Sequence, residues 1–359
     1  MNSLFCLFLS SHLYMLVGTY TSGASDGIYV YRFDEETGMS EYVSETELSN
    51  PSFLAVSACE RFVYSVSENT GNDAHVYAFS FDKNIGKLSL LNGQLTGDAP
   101  CYVSVDQTGS FVVTANYMGG NLSVFPLAAD GSLLPVAENF KFMRTGPTSR
   151  QQQSHLHSAV FSPTRRHLFA ADLGGDVLYK FSTRNEAPFL ISGIPTSYAL
   201  EPGSGPRHLT FHPNGKFVYL INELSGKVTV FSYDDGNLVA IQYIAADISD
   251  GVKGSADVHV SPDGRFLYAS NRANTNNIAI FSINVADGKL TLVGHQPTGR
   301  HPRNFIITPN GKFLLVASQN SHIIQVFEID KNTGLLTEDI SKQITAINRP
   351  VCIKFIKIR

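Results

Sequence analysis

Tryptophan is absent from the 359 residues, and only four cysteines occur. The first absence excludes the Trp-Asp signature of one large class of repeat proteins. The cysteines, Cys6, Cys59, Cys101 and Cys352, are scattered without a Cys-x-x-Cys pair, which excludes a zinc knuckle and a disulfide framework. This cysteine usage fits a reducing compartment, and we therefore expect a cytoplasmic protein.

An excess of positive charge is also missing, because 27 Lys and Arg face 31 Asp and Glu and leave a net charge of -4. Such a chain has no broad basic field with which to hold nucleic acid or an anionic membrane. We therefore expect no nucleic-acid partner and no membrane partner.

No apolar run is long enough to cross a bilayer. The stretch 4–17 is apolar but is interrupted at Ser10, Ser11 and His12. We interpret residues 1–12 as an N-terminal extension or the remnant of a signal, although a charged n-region is missing; a signal would place the protein in the periplasm.

Amphipathic helical patterns are scarce, whereas glycine (29), tyrosine (15) and phenylalanine (24) are plentiful, so an all-β protein is expected. The stretch 205–223 shows how its units are built: an extended run, a Pro-Asn-Gly turn and a second extended run. In such a hairpin the start of the first strand lies beside the end of the second. Arg207 and Glu223 should therefore be neighbours.

The same hairpin recurs every 47 to 55 residues. Its copies start near Pro51, Pro100, His155, Pro206, Ser255, Pro302 and Pro350. Most copies add a third strand, and several add a Gly-x-Leu turn into a fourth, as at Gly86, Gly131, Gly288 and Gly334. Four strands repeated seven times predict a seven-bladed β-propeller formed by residues 13–359 as a single domain.

The seventh hairpin is incomplete, because the chain ends soon after the strand 351–356. Its missing second strand is available at the other terminus as residues 13–20, with 28–33 as the third. We therefore predict a composite closing blade built from both termini, which would leave no long free strand edge.

Aligning the copies brings two sets of seven residues to one end of the central channel. The starts of the first strands contribute Ser52, Cys101, His157, Arg207, Ala256, Arg303 and Val351. The ends of the second strands contribute Glu68, Tyr117, Leu173, Glu223, Arg272, Gln319 and, in the composite blade, Tyr20. The result is a polar ring in which arginines outnumber the carboxylates opposite them.

Arginine forks hold carboxylates and phosphates, while histidine and glutamate can transfer protons. The ring therefore predicts a site for a small anionic molecule, with Glu223, His157, Arg207 and Arg272 as catalytic candidates. The candidates for substrate binding are His155, Arg303, Asp172, Asn222, His259, Glu68 and Tyr20. The alternative is a set of ion pairs around water without a function.

Several other features have simpler explanations. His155 and His157 alternate on one strand like a metal-binding pair but lack a third ligand, so we expect no metal and no other cofactor. His212 is interpreted as a turn residue, Gly203-Ser204-Gly205 as a plain turn rather than a phosphate cradle, and Cys101 as a buried thiol.

At these residues the chain resembles the seven-bladed lactonase family, which includes propeller-type 6-phosphogluconolactonases and fungal carboxymuconate cyclases. The resemblance covers nearly all of residues 13–356. Its most specific motifs are Val17-Gly-Thr-Tyr-Thr21, Gln153-Ser-His-Leu-His157, Gly205-Pro-Arg-His208 with Asn222-Glu223, Ser261-Pro-Asp-Gly-Arg265 with Ser270-Asn-Arg272, and Pro302-Arg303.

The resemblance implies that Arg207 and Glu223 match a catalytic arginine and glutamate of the cyclase. His155 or His157 matches its histidine, and Arg272 matches its second arginine. It also implies hydrolysis of 6-phospho-D-glucono-1,5-lactone, with lactone-forming cyclisation of a muconate-like acid as the alternative. We expect a monomer or weak dimer. A propeller can also serve as a non-catalytic scaffold, so this possibility remains open.

Overall fold

Seven four-stranded antiparallel sheets make up the protein in a computed structural model that describes residues 12–191 and 196–358. This arrangement confirms the predicted seven-bladed propeller. We number the blades 1 to 7 along the chain, and strands β1 to β28 in chain order. Within each blade the first strand is innermost, next to the channel, and the fourth is outermost.

Blades 1 to 6 each use four consecutive strands. Blade 1 contains β4 to β7, Leu54–Val56, Phe62–Ser67, His75–Asp82 and Lys87–Leu95. Blade 2 contains β8 to β11, Pro100–Val105, Phe111–Asn116, Asn121–Pro126 and Glu138–Lys141. Blade 3 contains β12 to β15, Leu156–Phe161, His167–Asp172, Val177–Ser182 and Thr196–Ala199.

The second half of the chain repeats this order. Blade 4 contains β16 to β19, Pro206–Phe211, Phe217–Asn222, Lys227–Asp234 and Asn237–Ala245. Blade 5 contains β20 to β23, Ser255–Val260, Phe266–Asn271, Asn277–Ile283 and Leu290–Pro297. Blade 6 contains β24 to β27, Pro302–Ile307, Phe313–Ser318, Ile323–Ile329 and Leu336–Glu338.

Blade 7 is the composite blade and confirms the predicted closure. Its sheet order is β28 (Pro350–Lys357), β1 (His12–Thr19), β2 (Gly27–Asp34) and β3 (Ser40–Glu47). Strand β1 pairs antiparallel with β28 and begins at His12, one residue before the predicted start. Most of the proposed extension, residues 1–11, lies outside the described residues.

Two predicted boundaries differ from the structure. The first strand of blade 1 begins at Leu54 rather than near Pro51. In blade 2 the Gly131 turn leads only into an isolated bridge between Leu127 and Leu133, and the fourth strand starts at Glu138. The other Gly-x-Leu turns lead into fourth strands as predicted, at Lys87, Leu290 and Leu336.

Neighbouring blades are joined by apolar packing and a repeated hydrogen bond. In blades 1, 4, 5 and 7 a tyrosine in the second strand donates its hydroxyl proton to a carbonyl in the next blade's outer turn, as Tyr219 does to Gly288 at 3.0 Å. Gly288 has φ +74°, and a Cβ there would lie 2.4 Å from the ring of Phe217. Both its backbone conformation and this close contact therefore require glycine.

The described residues contain only three short 3₁₀ helices, Gly71–Asp73, Gln319–Ser321 and Ile340–Lys342. Over the ranges 12–191 and 196–358, no helix has the length and apolar character needed to span a membrane.

Candidate functional site

One set of side chains at the mouth of the channel comes from β-bulges in the innermost strands. In blade 4, Pro206 pairs with Asn222 and His208 with Ile221, which leaves Arg207 as an extra residue between them. Equivalent register shifts occur at Cys101, His157, Ala256, Arg303 and Val351 in five other blades. A bulge bends its strand and redirects the extra side chain, so it can place these residues around the mouth.

One hydrogen bond repeats in all seven blades and confirms the predicted register. The residue at the end of each second strand donates its backbone N–H to the carbonyl two residues before the bulge position, as Glu223 does to Gly205 at 2.7 Å. The equivalent donors are Tyr20, Glu68, Tyr117, Leu173, Arg272 and Gln319. The two predicted sets of seven residues are therefore adjacent, and Tyr20 does complete the ring.

Glu223 is the centre of the site and binds three arginines. Its Oε2 accepts a hydrogen bond from Arg207 Nε at 2.9 Å and from Arg272 Nη2 at 2.8 Å. Its Oε1 accepts one from Arg150 Nη2 at 2.9 Å. Burial by itself would raise the pKa of Glu223, but the three arginines outweigh it and lower that pKa to about 2. The carboxyl group is therefore ionised at neutral pH.

Arg207 lies behind Glu223 and is 1% exposed. Its Nη1 donates to the carbonyl of Ala256 and to His208 Nε2. His208 in turn binds Asp257 through Nδ1, at 2.8 Å. Arg207 is therefore fixed on both sides, and it is not among the residues that line the cavity.

A second cluster joins Tyr20, Glu68 and Arg303. The hydroxyl of Tyr20 donates to Glu68 Oε2 at 2.8 Å, and Arg303 Nη2 lies 3.8 Å from the same oxygen. The guanidinium of Arg303 stacks over the ring of Tyr20, at 5.3 Å from its centre. Arg303 therefore keeps donor groups available on the side of the cavity.

His157 lies among aromatic rings and is uncharged. It makes edge contacts with Tyr117 and His208, with ring centres 5.5 and 5.3 Å apart, and its Nδ1 lies 3.7 Å from Cys101 Sγ. Burial and the nearby arginines hold its pKa well below the ordinary value for histidine. At neutral pH it can donate a hydrogen bond without carrying a charge.

A cavity of about 380 Å³, in the usual range for a small-molecule site, is lined by Glu223, Arg150, Arg272, Tyr20, Glu68, Arg303 and His157 together with other residues. One residue further along the inner strands, the rings of Phe53, Tyr102 and His208 contact one another. Because these rings come from three different blades, they fill the channel next to the cavity.

The comparisons with known proteins agree with this fold. Residues 14–355 match the family model described as "Lactonase, 7-bladed beta-propeller". The chain belongs to this lactonase family.

Proteins that are similar to this chain in sequence or structure include several named as lactonases. A 6-phosphogluconolactonase of Formosa agariphila is 41% identical over 331 residues, which cover 90% of this chain and 94% of that protein. The crystal structure of a candidate 6-phosphogluconolactonase from Bacteroides fragilis has a TM-score of 0.93 and 51% identity, covering 97% of this chain and 98% of that one. The periplasmic gluconolactonase PpgL of Pseudomonas aeruginosa has a TM-score of 0.92 and 34% identity, covering 97% and 100%.

Four of the predicted substrate-binding residues of this lactonase-family chain lie outside the cavity lining. His155 stacks on Tyr117 at 4.2 Å and binds its carbonyl, and Asn222 donates to Lys227 O and Thr229. Asp172 accepts backbone N–H groups from His155, Gly174 and Gly175. His259 binds Asp257 at 3.0 Å, on the far side of that carboxylate from His208. These contacts hold the four side chains within the framework of the fold, although Asp172 Oδ2 and Asn222 Oδ1 are buried and have no hydrogen-bond partner among the described residues.

Three lining residues with cationic or imidazole side chains were not predicted: Arg150, Lys253 and His301. Arg150 and Lys253 lie on connections between blades, where the repeat provides no register. His301 accepts a hydrogen bond from Arg272 Nη1 through Nε2, at 3.2 Å. The only feature of the sequence that could have predicted His301 as a lining residue is its position two residues before Arg303, which belongs to the predicted ring.

The simpler interpretations of other features are confirmed. His212 binds within its turn through Nδ1 and reaches Gly264 O through Nε2, at 2.9 Å. The N–H groups of Gly203 and Gly205 bind the carboxylate of Asp176, both at 2.7 Å. Cys101 is buried, which raises the pKa of its thiol.

The bulge at His157 breaks the strand alternation that a His155 and His157 metal pair would need. Among the described residues, no group of three or more His, Cys, Asp or Glu side chains is arranged to hold a metal ion.

Proposed function

We propose that this protein is a 6-phosphogluconolactonase, which hydrolyses 6-phospho-D-glucono-1,5-lactone to 6-phosphogluconate. The observation that supports this most is the cationic cavity around one ionised glutamate, in a chain whose relatives are named for this reaction.

The charges of the site suit an anionic substrate. Arg150, Arg272, Arg303 and Lys253 line the cavity, together with the carboxylates of Glu223 and Glu68. Lys253 is offset by the buried carboxylate of Asp247 at 3.7 Å, and Arg207 adds a further positive charge behind Glu223. Five cations therefore face three carboxylates, and a phosphorylated ligand would balance the remaining charge.

The reaction needs a proton acceptor for water and a donor for the oxygen that gains charge. In our proposal Glu223 takes a proton from the water molecule as its oxygen attacks the lactone carbonyl carbon. The neutral His157 donates a hydrogen bond to the carbonyl oxygen. When the bond between the carbonyl carbon and the ring oxygen breaks, the protonated Glu223 returns its proton to the departing ring oxygen and is again a carboxylate. Arg272 and Arg303 stabilise the negative charge of the tetrahedral intermediate.

We also propose that water and the lactone are the only reactants and that no cofactor takes part, because the lining itself offers a carboxylate, an imidazole and fixed cations. A lactone is an activated ester, so a positioned base and donor are sufficient chemistry for its opening.

The test is hydrolysis of freshly prepared 6-phospho-D-glucono-1,5-lactone, measured as a rate above the spontaneous reaction in buffer. Glu223→Gln should reduce turnover by about 10²–10⁴-fold while the far-UV circular dichroism spectrum stays unchanged. Full activity in this variant would refute the role of Glu223. Reaction with carboxymuconate but not with the lactone would indicate the cyclase instead, and thermal stabilisation by no anionic metabolite would favour a scaffold.

A further inference from the structure

The geometry of the Glu223 cluster shows that its three arginines are not equivalent. Arg207 is 1% exposed, and the side chain of Arg272 is 8% exposed. Arg272 also uses its other nitrogens, with Nε on Gly254 O and Nη1 on His301. These two arginines are fixed parts of the wall.

Arg150 is different, because its side chain is 52% exposed. Its Nη2 contacts both Glu223 Oε1 and the hydroxyl of Tyr117, the latter at 3.2 Å. Within the described part of the chain, its Nε and Nη1 make no hydrogen bond. The arginine therefore presents unused donors at the cavity while only one nitrogen holds it to the carboxylate.

The backbone that carries Arg150 is firmly held. The next residue, Gln151, is fully buried, and its Nε2 donates to Leu173 O at 2.9 Å and to Asp176 Oδ1 at 2.8 Å. Its Oε1 accepts a hydrogen bond from the Thr148 hydroxyl at 3.1 Å. A rigid turn thus presents a side chain that is free to change partners.

We propose that Arg150 recognises the phosphoryl group of the substrate and leaves Glu223 Oε1 when it does so. A phosphate offers two charges and three acceptor oxygens, which suit the planar guanidinium better than one carboxylate oxygen does. The inference rests on the proposed function and makes it more specific, because Arg150 would select a phosphorylated lactone over an unphosphorylated one.

The exchange would also prepare Glu223 for its role. A carboxylate that binds three arginines is a weak base, because the arginines stabilise its ionised form. When Arg150 moves to the phosphate, Glu223 keeps Arg207 and Arg272 on Oε2, while Oε1 becomes available for water. Binding of the phosphate would thus be coupled to activation of the base.

The kinetic test compares Arg150→Gln with the unmodified protein on 6-phospho-D-glucono-1,5-lactone and on D-glucono-1,5-lactone. We expect kcat/KM for the phosphorylated lactone to fall by about 10- to 100-fold, as for loss of a charged hydrogen-bonding partner. We expect kcat/KM for the unphosphorylated lactone to rise, because Glu223 Oε1 is released permanently. If the ratio of the two constants stays at its original value, the inference is wrong.

Arg166→Gln is the matched control. Arg166 is another exposed arginine paired with a carboxylate, Asp235 at 3.0 Å, and it lies in the turn after strand β12, away from the ring. The ratio of the two constants should be unchanged in this variant. A change equal to that of Arg150→Gln would show a general effect of surface charge and would refute the inference.

A binding experiment separates this inference from the proposed reaction. Calorimetry with 6-phosphogluconate and with gluconate should show tighter binding of the phosphorylated acid by the unmodified protein and loss of that preference in Arg150→Gln. If this is found without any lactone hydrolysis, the reaction is wrong but phosphate recognition stands. If Arg150→Gln keeps the preference, phosphate recognition by Arg150 is wrong whatever the activity.

Discussion

The ionised Glu223 should make the protein unusually dependent on pH, and Glu223→Gln tests this. The pKa of this carboxyl is about 2 in the folded protein, against an ordinary value of 4.5. Because the folded state has the lower pKa, the ionised group stabilises the fold above pH 4.5, and this stabilisation is lost as the pH falls toward 2. The full contribution is about 3 kcal/mol.

Only the part of this contribution that is lost before the whole protein denatures in acid can be measured, so the comparison is made at pH 7 and pH 3.3. At pH 3.3 most of the unfolded chains carry a protonated Glu223, while the folded chain still carries the carboxylate. The unmodified protein should therefore have lost about half of this contribution, about 2 kcal/mol, between pH 7 and pH 3.3. Glu223→Gln has no such group to titrate, so its free energy of unfolding should fall by about 2 kcal/mol less over the same interval.

Urea denaturation at the two pH values measures the difference, with tyrosine fluorescence as the signal because tryptophan is absent. Other carboxyl groups titrate in both proteins, so only the difference between them reports Glu223. Glu201→Gln is the control, since Glu201 pairs with Lys227 at 2.9 Å on an exposed surface and should contribute little. Equal pH dependence in the unmodified protein and in Glu223→Gln would refute the three-arginine cluster as the cause of a low pKa.

Three further changes test other parts of the structure. His157→Ala should lower kcat for the phosphorylated lactone by about 10²–10⁴-fold with an unchanged circular dichroism spectrum, and unaltered kcat would exclude it as the donor. Asp257→Asn should lower the free energy of unfolding at pH 7 by about 1–3 kcal/mol in urea denaturation, because His208 and His259 lose their shared acceptor; an unchanged midpoint would show that this network is not needed. Truncation after Pro350 removes β28 and exposes the edge of β1, so we expect aggregated protein on size-exclusion chromatography, and a soluble active product would argue against the composite blade.

The repeat made much of the site predictable, because each functional side chain has six equivalents along the chain. Arg207, Glu223, Arg272 and Arg303 could be placed in one ring by counting from the turns, without knowledge of any contact. The same counting placed Tyr20 and Glu68 in this ring, and in the structure the two residues form a hydrogen bond although they are 48 positions apart. In a propeller, one well-defined register therefore specifies long-range neighbours.

What could not be predicted depends on details outside the repeat. Arg150 lies on a connection between blades 2 and 3, and only the folded chain shows that it reaches Glu223. Asp172, Asn222 and His259 were close to the ring in sequence, but strand alternation turns neighbouring side chains in different directions. The strongly lowered pKa of Glu223 likewise follows from the convergence of blade 4, blade 5 and the connection that carries Arg150, which no local pattern contains.

The bulges explain how one repeated framework can carry different chemistry in each blade. At the bulge position the innermost strand has one residue more than the second strand with which it pairs. The regular pairing therefore continues on either side of the bulge, whichever amino acid is the extra residue. The structure has cysteine, histidine, arginine, alanine, arginine and valine at six of these positions, while the hydrogen bond from the end of the second strand is kept in all seven blades. The fold thus separates the residues that determine binding from the pairing that determines stability. This separation allows Arg207, a buried cation with a high cost of burial, to occupy a position that Val351 fills in blade 7 with an apolar side chain.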